Sequence, residues 1–176
     1  MAHINIEIKA RCTQPDAVKR VLTRMGARYE GRDHQIDTYF RVPQGRLKLR
    51  EGNVENALIY YERDSIAGPK QSNVILFRTK PDPSLRQILE KCHPLLVIVD
   101  KQRDIYWVDN VKFHVDDVKG LGSFVEIEAI DYNGTIGREA LLRQCMMYKE
   151  RLGITDDSLL TDAYSDLVMA KSLRTS

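Results

Sequence analysis

Alternation of apolar and polar residues with a period of two is the feature that most constrains the fold of this chain. The alternating polar residues are mostly charged, and the pattern is clearest in segments 4–9, 46–50, 111–116 and 125–129. Successive side chains of a β-strand point to opposite faces, so each segment predicts a strand with one apolar and one charged face. Together these segments predict a sheet rather than a helical bundle.

Further segments complete a mixed architecture. Four more strands are predicted at 34–42, 57–63, 71–79 and 101–108. Short Gly-, Asn- and Asp-containing links between consecutive strands favour hairpins and a mostly antiparallel sheet. Apolar residues at helical spacing predict four helices, at 15–25, 84–93, 137–152 and 157–173. We therefore predict an α+β fold, an antiparallel eight-stranded β-barrel (a tunnel) with a charged lumen and about four amphipathic helices outside.

Length and composition exclude several classes of protein. The 176 residues suit a single domain, 1–176, and no apolar run is long enough to span a bilayer. A formal net charge of +2, from 27 basic and 25 acidic residues, argues against a broadly basic nucleic-acid binder. The three cysteines match no zinc spacing and suggest no disulfide framework. We expect a cytoplasmic protein with no membrane role and no nucleic-acid partner.

The charged strand faces are strongly partitioned by sign. We expect about nine cations and four carboxylates on one inward face. The basic positions are Lys9, Arg11, Arg46, Lys48, Arg50, Arg63, Lys101, Arg103 and Lys112. The acidic positions are Glu7, Asp116, Glu126 and Glu128. Any one such face, taken alone, is more often simply solvated; the interpretation as a site rests on several faces together.

This partition suits a particular ligand chemistry. Arginine forks bind phosphate oxygens bidentately, and a carboxylate cluster suits a hard divalent cation such as Mg²⁺ or Mn²⁺. No G-x-x-x-x-G-K-[ST] loop occurs in the chain, so side chains would have to hold the phosphates. The pattern predicts a metal–triphosphate site.

Six motifs in order resemble one known family. They are NIEIKA (5–10), GRLKLRE (45–51), IYYER (59–63), VDKQRDIY (99–106), KFHVDDVKGLGSFVEIEA (112–129) and DAYSDL (162–167). The first resembles the E-x-E-x-K signature of the CYTH superfamily. That superfamily contains the class IV adenylyl cyclases and thiamine triphosphatases, also called triphosphate tunnel metalloenzymes. The KxR and GLGxFxEIE elements look most like the class IV adenylyl cyclase branch.

The resemblance implies roles for individual residues. It makes Glu7, Glu126 and Glu128 metal ligands, with Asp116 nearby. It assigns the phosphates to Lys9, Arg50, Arg63, Lys101 and Arg103, to which the face pattern adds Lys48 and Arg11. Accessory contributions are expected from Asn5, Arg46, Lys112, His114, Tyr61 and Tyr164.

One position departs from the family motif, because Asn5 stands where the signature begins with glutamate. Asparagine keeps an oxygen ligand but removes a negative charge. We therefore expect one tightly held ion and, if a second binds, a weaker one. Alternatively, Asn5 is merely tolerated while Glu7, Glu126 and Glu128 hold one metal.

The accessory residues also have simpler interpretations. His114 could assist proton transfer, but a histidine between charged neighbours is more often a hydrogen-bonded spacer. Tyr61 could contact a base or ribose, although tyrosines in strands usually pack. Tyr164 is expected to bring the last helix over an end of the tunnel. Trp107 ends an amphipathic strand, which is typical of packing.

The resemblance implies an enzyme that uses Mg²⁺ or Mn²⁺ on a nucleoside or other organic triphosphate, or on inorganic polyphosphate. The favoured reaction converts ATP to cyclic AMP and pyrophosphate. One alternative is a hydrolase of thiamine triphosphate or tripolyphosphate, and another is a binding module without turnover. The cyclase branch further suggests a homodimer.

Overall fold

The computed structural model describes residues 2–63 and 66–174, and its strands close into one barrel. The strands are β1 (Ala2–Arg11), β2 (Arg28–Phe40), β3 (Arg46–Glu51), β4 (Ala57–Arg63), β5 (Lys70–Arg78), β6 (Leu95–Val108), β7 (Val111–Val118) and β8 (Gly122–Asp131). Their order around the barrel is β1-β5-β4-β3-β2-β6-β7-β8, with antiparallel neighbours throughout. The predicted eight-stranded antiparallel barrel is confirmed.

Four helices accompany the barrel, and local signals set the ends of the first three. The helices are α1 (Pro15–Arg24), α2 (Pro83–Cys92), α3 (Arg138–Arg151) and α4 (Tyr164–Arg174). A proline opens both α1 and α2, and glycines with positive φ follow α1 and α3 at Gly26 and Gly153. Within the described residues, no helix is long and apolar enough to cross a membrane.

The last helix begins later than the sequence predicts. Residues 157–163 form the end of a 3₁₀ turn and an extended stretch, and α4 starts only at Tyr164. The backbone N–H of Leu160 donates to the carbonyl of Lys9 at 2.9 Å, so this stretch is bound to β1 instead of coiling. The buried Lys70 ammonium donates to the carbonyls of Leu160 (2.9 Å) and Thr161 (3.0 Å). The stretch is thereby fixed at one end of the barrel.

Strand register separates the two faces of the sheet. Glu7 pairs with Glu128, and Lys9 with Glu126, across β1 and β8. Because side chains alternate, the residues between them, such as Ile6, Ile8 and Ile127, point outward. These apolar side chains are buried with residues of α1 and α3 in the main core, whose members include Leu22, Val115, Phe113, Leu141 and Cys145.

The two ends of the barrel differ. One end, here called the floor, is filled by a second apolar cluster that includes Tyr39, Val99, Val118, Phe124 and Tyr164. The other end, here called the mouth, is where β1 begins and β5 and β6 end. The barrel interior therefore opens toward solvent at the mouth and is packed at the floor.

Candidate functional site

The lumen holds a cavity of about 690 Å³ that extends from the mouth to Tyr164 near the floor. Most of the residues predicted for the site line it, namely Asn5, Glu7, Lys9, Lys48, Arg50, Tyr61, Arg63, Lys101, Arg103, Lys112, Glu126, Glu128 and Tyr164. Six strands and the start of α4 supply these side chains, the strand residues through the alternation that points every second residue inward. The closed barrel thus gathers residues far apart in the sequence into one cavity.

Asp37 of β2 is the centre of the cation cluster. Its carboxylate accepts hydrogen bonds from Lys101 Nζ at 2.7 Å, Arg50 Nε at 2.8 Å and Lys48 Nζ at 3.0 Å. Burial opposes its charge, but Arg50, Lys101 and Lys48 outweigh that effect and hold the pKa of Asp37 well below its ordinary value. Burial, despite Asp37, lowers the pKa of Lys101 to about 7. Asp37 is missing from the residues that we predicted for the site.

A second unpredicted carboxylate, Glu55, comes from the connection between β3 and β4. It accepts from Arg50 Nη1 at 3.0 Å and also pairs with Lys112. Although burial favours its neutral form, Lys112 and Arg50 hold the pKa of Glu55 well below its ordinary value. The carboxylate therefore links cations that project from opposite sides of the cavity, β3 and β7.

On the β1–β8 side, Glu126 is shared by two cations. Lys9 Nζ lies 2.6 Å from one of its oxygens and Arg103 Nη2 lies 2.6 Å from the other. Arg103 also grips Asp116 with two hydrogen bonds, of 2.7 and 2.5 Å, and Tyr164 donates to Asp116 at 2.8 Å. Asp116 therefore lies behind Arg103 and positions its guanidinium.

Glu7, Glu128 and Asn5 form the carboxylate side of the cavity. Glu7 accepts from Arg63 Nη1 at 2.9 Å and from Ser72 Oγ at 3.3 Å. Burial and the neighbouring Glu126 raise the pKa of Glu128 to about 7. Asn5 is buried, and within the described parts of the chain its Oδ1 has no hydrogen-bond partner.

These donors fit a divalent cation. His114, Glu126 and Glu128 each offer a ligand atom, and those atoms lie within 4.8 Å of one another. Glu7 stands opposite Glu128 in the strand register, and the unpartnered Asn5 Oδ1 adds a neutral oxygen to the same side. A donor set rich in carboxylate oxygens suits Mg²⁺ or Mn²⁺. His114 is buried, and burial together with Arg103 lowers its pKa to about 3, so its ring is neutral near pH 7.

Four predicted residues do not line the cavity. Asp116 and His114 are buried behind the residues that do, and His114 Nδ1 lies 3.1 Å from Glu126. Arg11 is exposed, with its guanidinium 5.3 Å from the ring of Phe124 at the floor. Arg46 forms a two-pronged pair with Asp166 of α4, at 3.0 and 2.9 Å. The expectation that Arg11 and Arg46 belong to the lumen is wrong, because each strand carries them past the floor.

The balance of charge in the cavity also differs from the prediction. The basic lining residues are Lys9, Lys48, Arg50, Arg63, Arg78, Lys101, Arg103 and Lys112. The acidic lining residues are Glu7, Glu30, Asp37, Glu55, Glu126 and Glu128. Among the described residues, eight cations against six carboxylates leave a formal excess of +2, far less than nine against four. Burying like charges without partners is costly, and the additional carboxylates remove most of that cost.

The lumen also has an apolar side, which the sequence did not suggest. Ala57 and Ile59 of β4 and Val74 and Leu76 of β5 line the cavity between its charged walls. At the mouth the lining includes Trp107, expected from the sequence to serve in packing. A ligand in this cavity thus meets cations, carboxylates and an apolar surface together.

Replacing Asp37 with asparagine should destabilise the protein strongly. The change leaves the fully buried Lys101, with 0% of its side chain exposed, without its carboxylate, and we expect a loss of about 3–5 kcal/mol. Urea unfolding would measure it. The control is Asp100→Asn, which removes more exposed pairs with His34 and Lys119 and should cost less than about 1 kcal/mol. Equal losses in the two variants would contradict the central role of Asp37.

The pKa of Glu128 predicts a pH dependence of stability in metal-free protein. The folded-state pKa of Glu128 is about 7, above the value of about 4.3 in an unfolded chain. Its contribution to the free energy of unfolding is therefore full below about pH 4.3. That contribution is lost as pH rises toward 7. Relative to Glu128→Gln, the natural protein should therefore lose stability between pH 5 and 8 in urea unfolding. The control is Glu90→Gln, at an exposed position of α2. If the difference in stability between the natural protein and Glu128→Gln stays constant with pH, the expectation is contradicted.

Sequence comparison finds a relative that spans nearly the same length. A Methanocaldococcus jannaschii protein, named as a candidate adenylate cyclase, is 25% identical over 178 aligned positions. The alignment covers 93% of this chain and 98% of the relative.

Solved structures share the fold. A Pyrococcus horikoshii protein superposes with a TM-score of 0.73 at 24% identity, covering 93% of this chain and 98% of that one. A Vibrio parahaemolyticus protein, described as a candidate adenylate cyclase, gives 0.78 at 16% identity, with 96% and 99% covered. A Hippeastrum protein, described as having a dominant triphosphatase activity, gives 0.60 at 17% identity, with 96% and 95% covered.

A family model settles the relationship. The CYTH domain model matches residues 3–164, from the start of β1 to the first residue of α4. The matched region contains all eight strands of the barrel, apart from Ala2 of β1, and all the residues that line its cavity. This chain belongs to the CYTH domain family.

Proposed function

We propose that this protein is a divalent-metal-dependent enzyme that acts on a triphosphate in the barrel lumen, most specifically a class IV adenylyl cyclase-like enzyme. The observation that carries the proposal is the juxtaposition in one cavity of a cation cluster around Asp37 and a carboxylate group around Glu128. The name of the M. jannaschii relative supports the choice of reaction. A cytoplasmic location and a homodimer belong to the proposal on the sequence resemblance alone.

In this proposal the triphosphate lies along the cations. A guanidinium has five N–H donors and an ammonium has three. The carboxylate partners therefore leave some N–H donors available for phosphate oxygens on Arg50, Arg103 and Lys48. The excess of positive charge in the cavity favours an anionic guest. Asp37, Glu55 and Asp116 hold these donors in place, so little reorganisation is needed when phosphate oxygens arrive.

The carboxylate side would hold Mg²⁺ or Mn²⁺ through Glu7, Glu126 and Glu128, with Asn5 Oδ1 as a neutral ligand. The bound ion would supply Lewis acidity that lowers the pKa of the attacking hydroxyl and neutralises charge on the leaving group. Asp116 stays a positioning residue because Arg103 and Tyr164 occupy its oxygens.

As a cyclase, the protein orients ATP so that its ribose 3′-oxygen faces the α-phosphorus. The 3′-hydroxyl loses its proton to solvent water, its oxygen bonds to the α-phosphorus, and the bond from that phosphorus to the bridging oxygen breaks to release pyrophosphate. The cations along the lumen stabilise the charge that accumulates on the leaving group. The neutral ring of His114 stays hydrogen-bonded to Glu126 and fixes that carboxylate.

A triphosphate hydrolase is the second candidate. It is favoured by the likeness to the Hippeastrum protein, which is described as having a dominant triphosphatase activity. The same cations and carboxylates would serve, with water in place of the ribose hydroxyl. A binding module without turnover remains the outcome to distinguish from both.

Product analysis tests the proposal directly. Purified protein is incubated with ATP, thiamine triphosphate or tripolyphosphate plus Mg²⁺ or Mn²⁺. Cyclic AMP and pyrophosphate from ATP are expected, whereas free phosphate would identify the hydrolase and no product would identify the binding module. Lys48→Ala should lower kcat/KM about tenfold to a hundredfold because a charged phosphate contact is lost. Lys119→Ala, at a side chain 80% exposed outside the cavity, should leave kcat/KM unchanged.

Asn5→Glu should tighten metal binding, because it adds a carboxylate beside Glu7 and Glu128. We expect the Kd for Mn²⁺ to fall by about tenfold in isothermal titration calorimetry, or about 1.4 kcal/mol. Asn73→Glu adds the same charge on the outer face of β5, opposite Ile4, and should change the Kd little. An unchanged Kd for Mn²⁺ in Asn5→Glu would contradict this explanation of the missing charge.

A further inference from the structure

We infer that the mouth of the barrel is a binding site for a planar organic headgroup, so that the substrate is an aromatic triphosphate such as a nucleotide rather than inorganic polyphosphate. This inference rests on the proposed function, because it assumes that a triphosphate occupies the lumen. The site consists of three rings, His3, Trp107 and Tyr132, here called the aromatic collar.

The floor determines where a headgroup must lie. Tyr164, Phe124 and Val118 are almost completely buried in the apolar cluster that fills that end of the barrel. A triphosphate held by Arg50, Arg103 and their neighbours can therefore extend an attached group only toward the mouth. The collar residues line the same cavity as those cations, so the phosphate and headgroup positions are continuous.

The collar rings come from separate elements and are partly held in place. The ring centroids of His3 and Tyr132 lie 5.3 Å apart. Trp107 Nε1 donates to Glu30 at 2.6 Å, and Lys112 Nζ lies 5.2 Å from the indole ring. Such contacts fix the orientation of an aromatic face, which lowers the entropy lost when a planar group stacks on it.

Part of the aromatic surface of the collar is exposed to solvent and is not covered by other protein side chains. Tyr132 is 45% exposed, which is high for an aromatic side chain at the rim of a cavity. Stacking with a planar ligand would remove this apolar surface from water, which is favourable. Clustered aromatic surface beside a cavity is typical of ligand sites.

The collar also has an unused polar atom. His3 Nδ1 is buried and, within the described residues, has no hydrogen-bond partner. A buried polar atom without a partner is costly, and the polar edge of a base or similar heterocycle would satisfy it. Below the collar, Ile59, Val74 and Leu76 give the cavity an apolar side that tripolyphosphate could not use.

The single tryptophan of the chain allows a direct test, since Trp107 is in the collar. The protein is titrated with α,β-methylene-ATP or with tripolyphosphate in the presence of Mg²⁺, and both heat and tryptophan fluorescence are recorded. We expect the nucleotide analogue to bind more tightly and to quench Trp107, and tripolyphosphate to bind without quenching. Equal affinity and equal fluorescence changes would overturn the collar while leaving the proposed function intact.

Variants separate the headgroup site from the phosphate site. Trp107→Ala should weaken binding of the nucleotide analogue about tenfold, as expected for a lost base stack, and change tripolyphosphate binding less than about twofold. Trp107→Phe keeps a ring and should retain most of the affinity, so a folding defect in the alanine variant would be evident. Tyr29→Ala, which removes a 50% exposed ring that does not line the cavity, is the matched control.

The two possible failures give different results. Equal weakening of both ligands in Trp107→Ala, or no weakening of either in a folded variant, would overturn the inference about the headgroup. Failure of both ligands to bind the natural protein would overturn the proposed function, and the aromatic collar as a substrate site with it.

Discussion

Neutralisation of charge inside a closed barrel is the constraint on which the rest of the structure depends. A barrel lined by Lys48, Arg50 and Lys101 is stable only if buried anions accompany them, and Asp37 contacts all three. Each of these contacts also fixes a donor in space. The same ion pairs that make the lumen tolerable in the folded protein therefore arrange a preorganised surface for an anionic ligand.

The barrel was predictable from the sequence because alternation is a local signal that follows directly from strand geometry. The same rule placed Glu7, Lys9, Glu126 and Glu128 on inward faces, and the register confirms that they face one another across β1 and β8. Alternation through β2 also points Asp37 inward, opposite Arg50. The sequence predicts a strand at 34–42 but assigns none of its residues to the site.

Other features depended on tertiary contacts that no local pattern encodes. Glu55 enters the cavity from a connection between strands, where side-chain direction has no period. The floor forms because residues 159–163 bind β1 and Lys70 instead of starting the last helix. Those contacts decide that the lumen opens at one end, and they place Arg11 and Arg46 outside it.

Diffraction from crystals grown with Mn²⁺ and tripolyphosphate tests the central claim, that the lumen is a metal–triphosphate site, most directly. We expect an anomalous manganese peak among Glu7, Glu126 and Glu128, with phosphate oxygens on Arg50, Arg103 and Lys48. Metal and phosphate bound elsewhere, with the ion pairs of Asp37 and Glu126 undisturbed and the cavity filled by water alone, would contradict it.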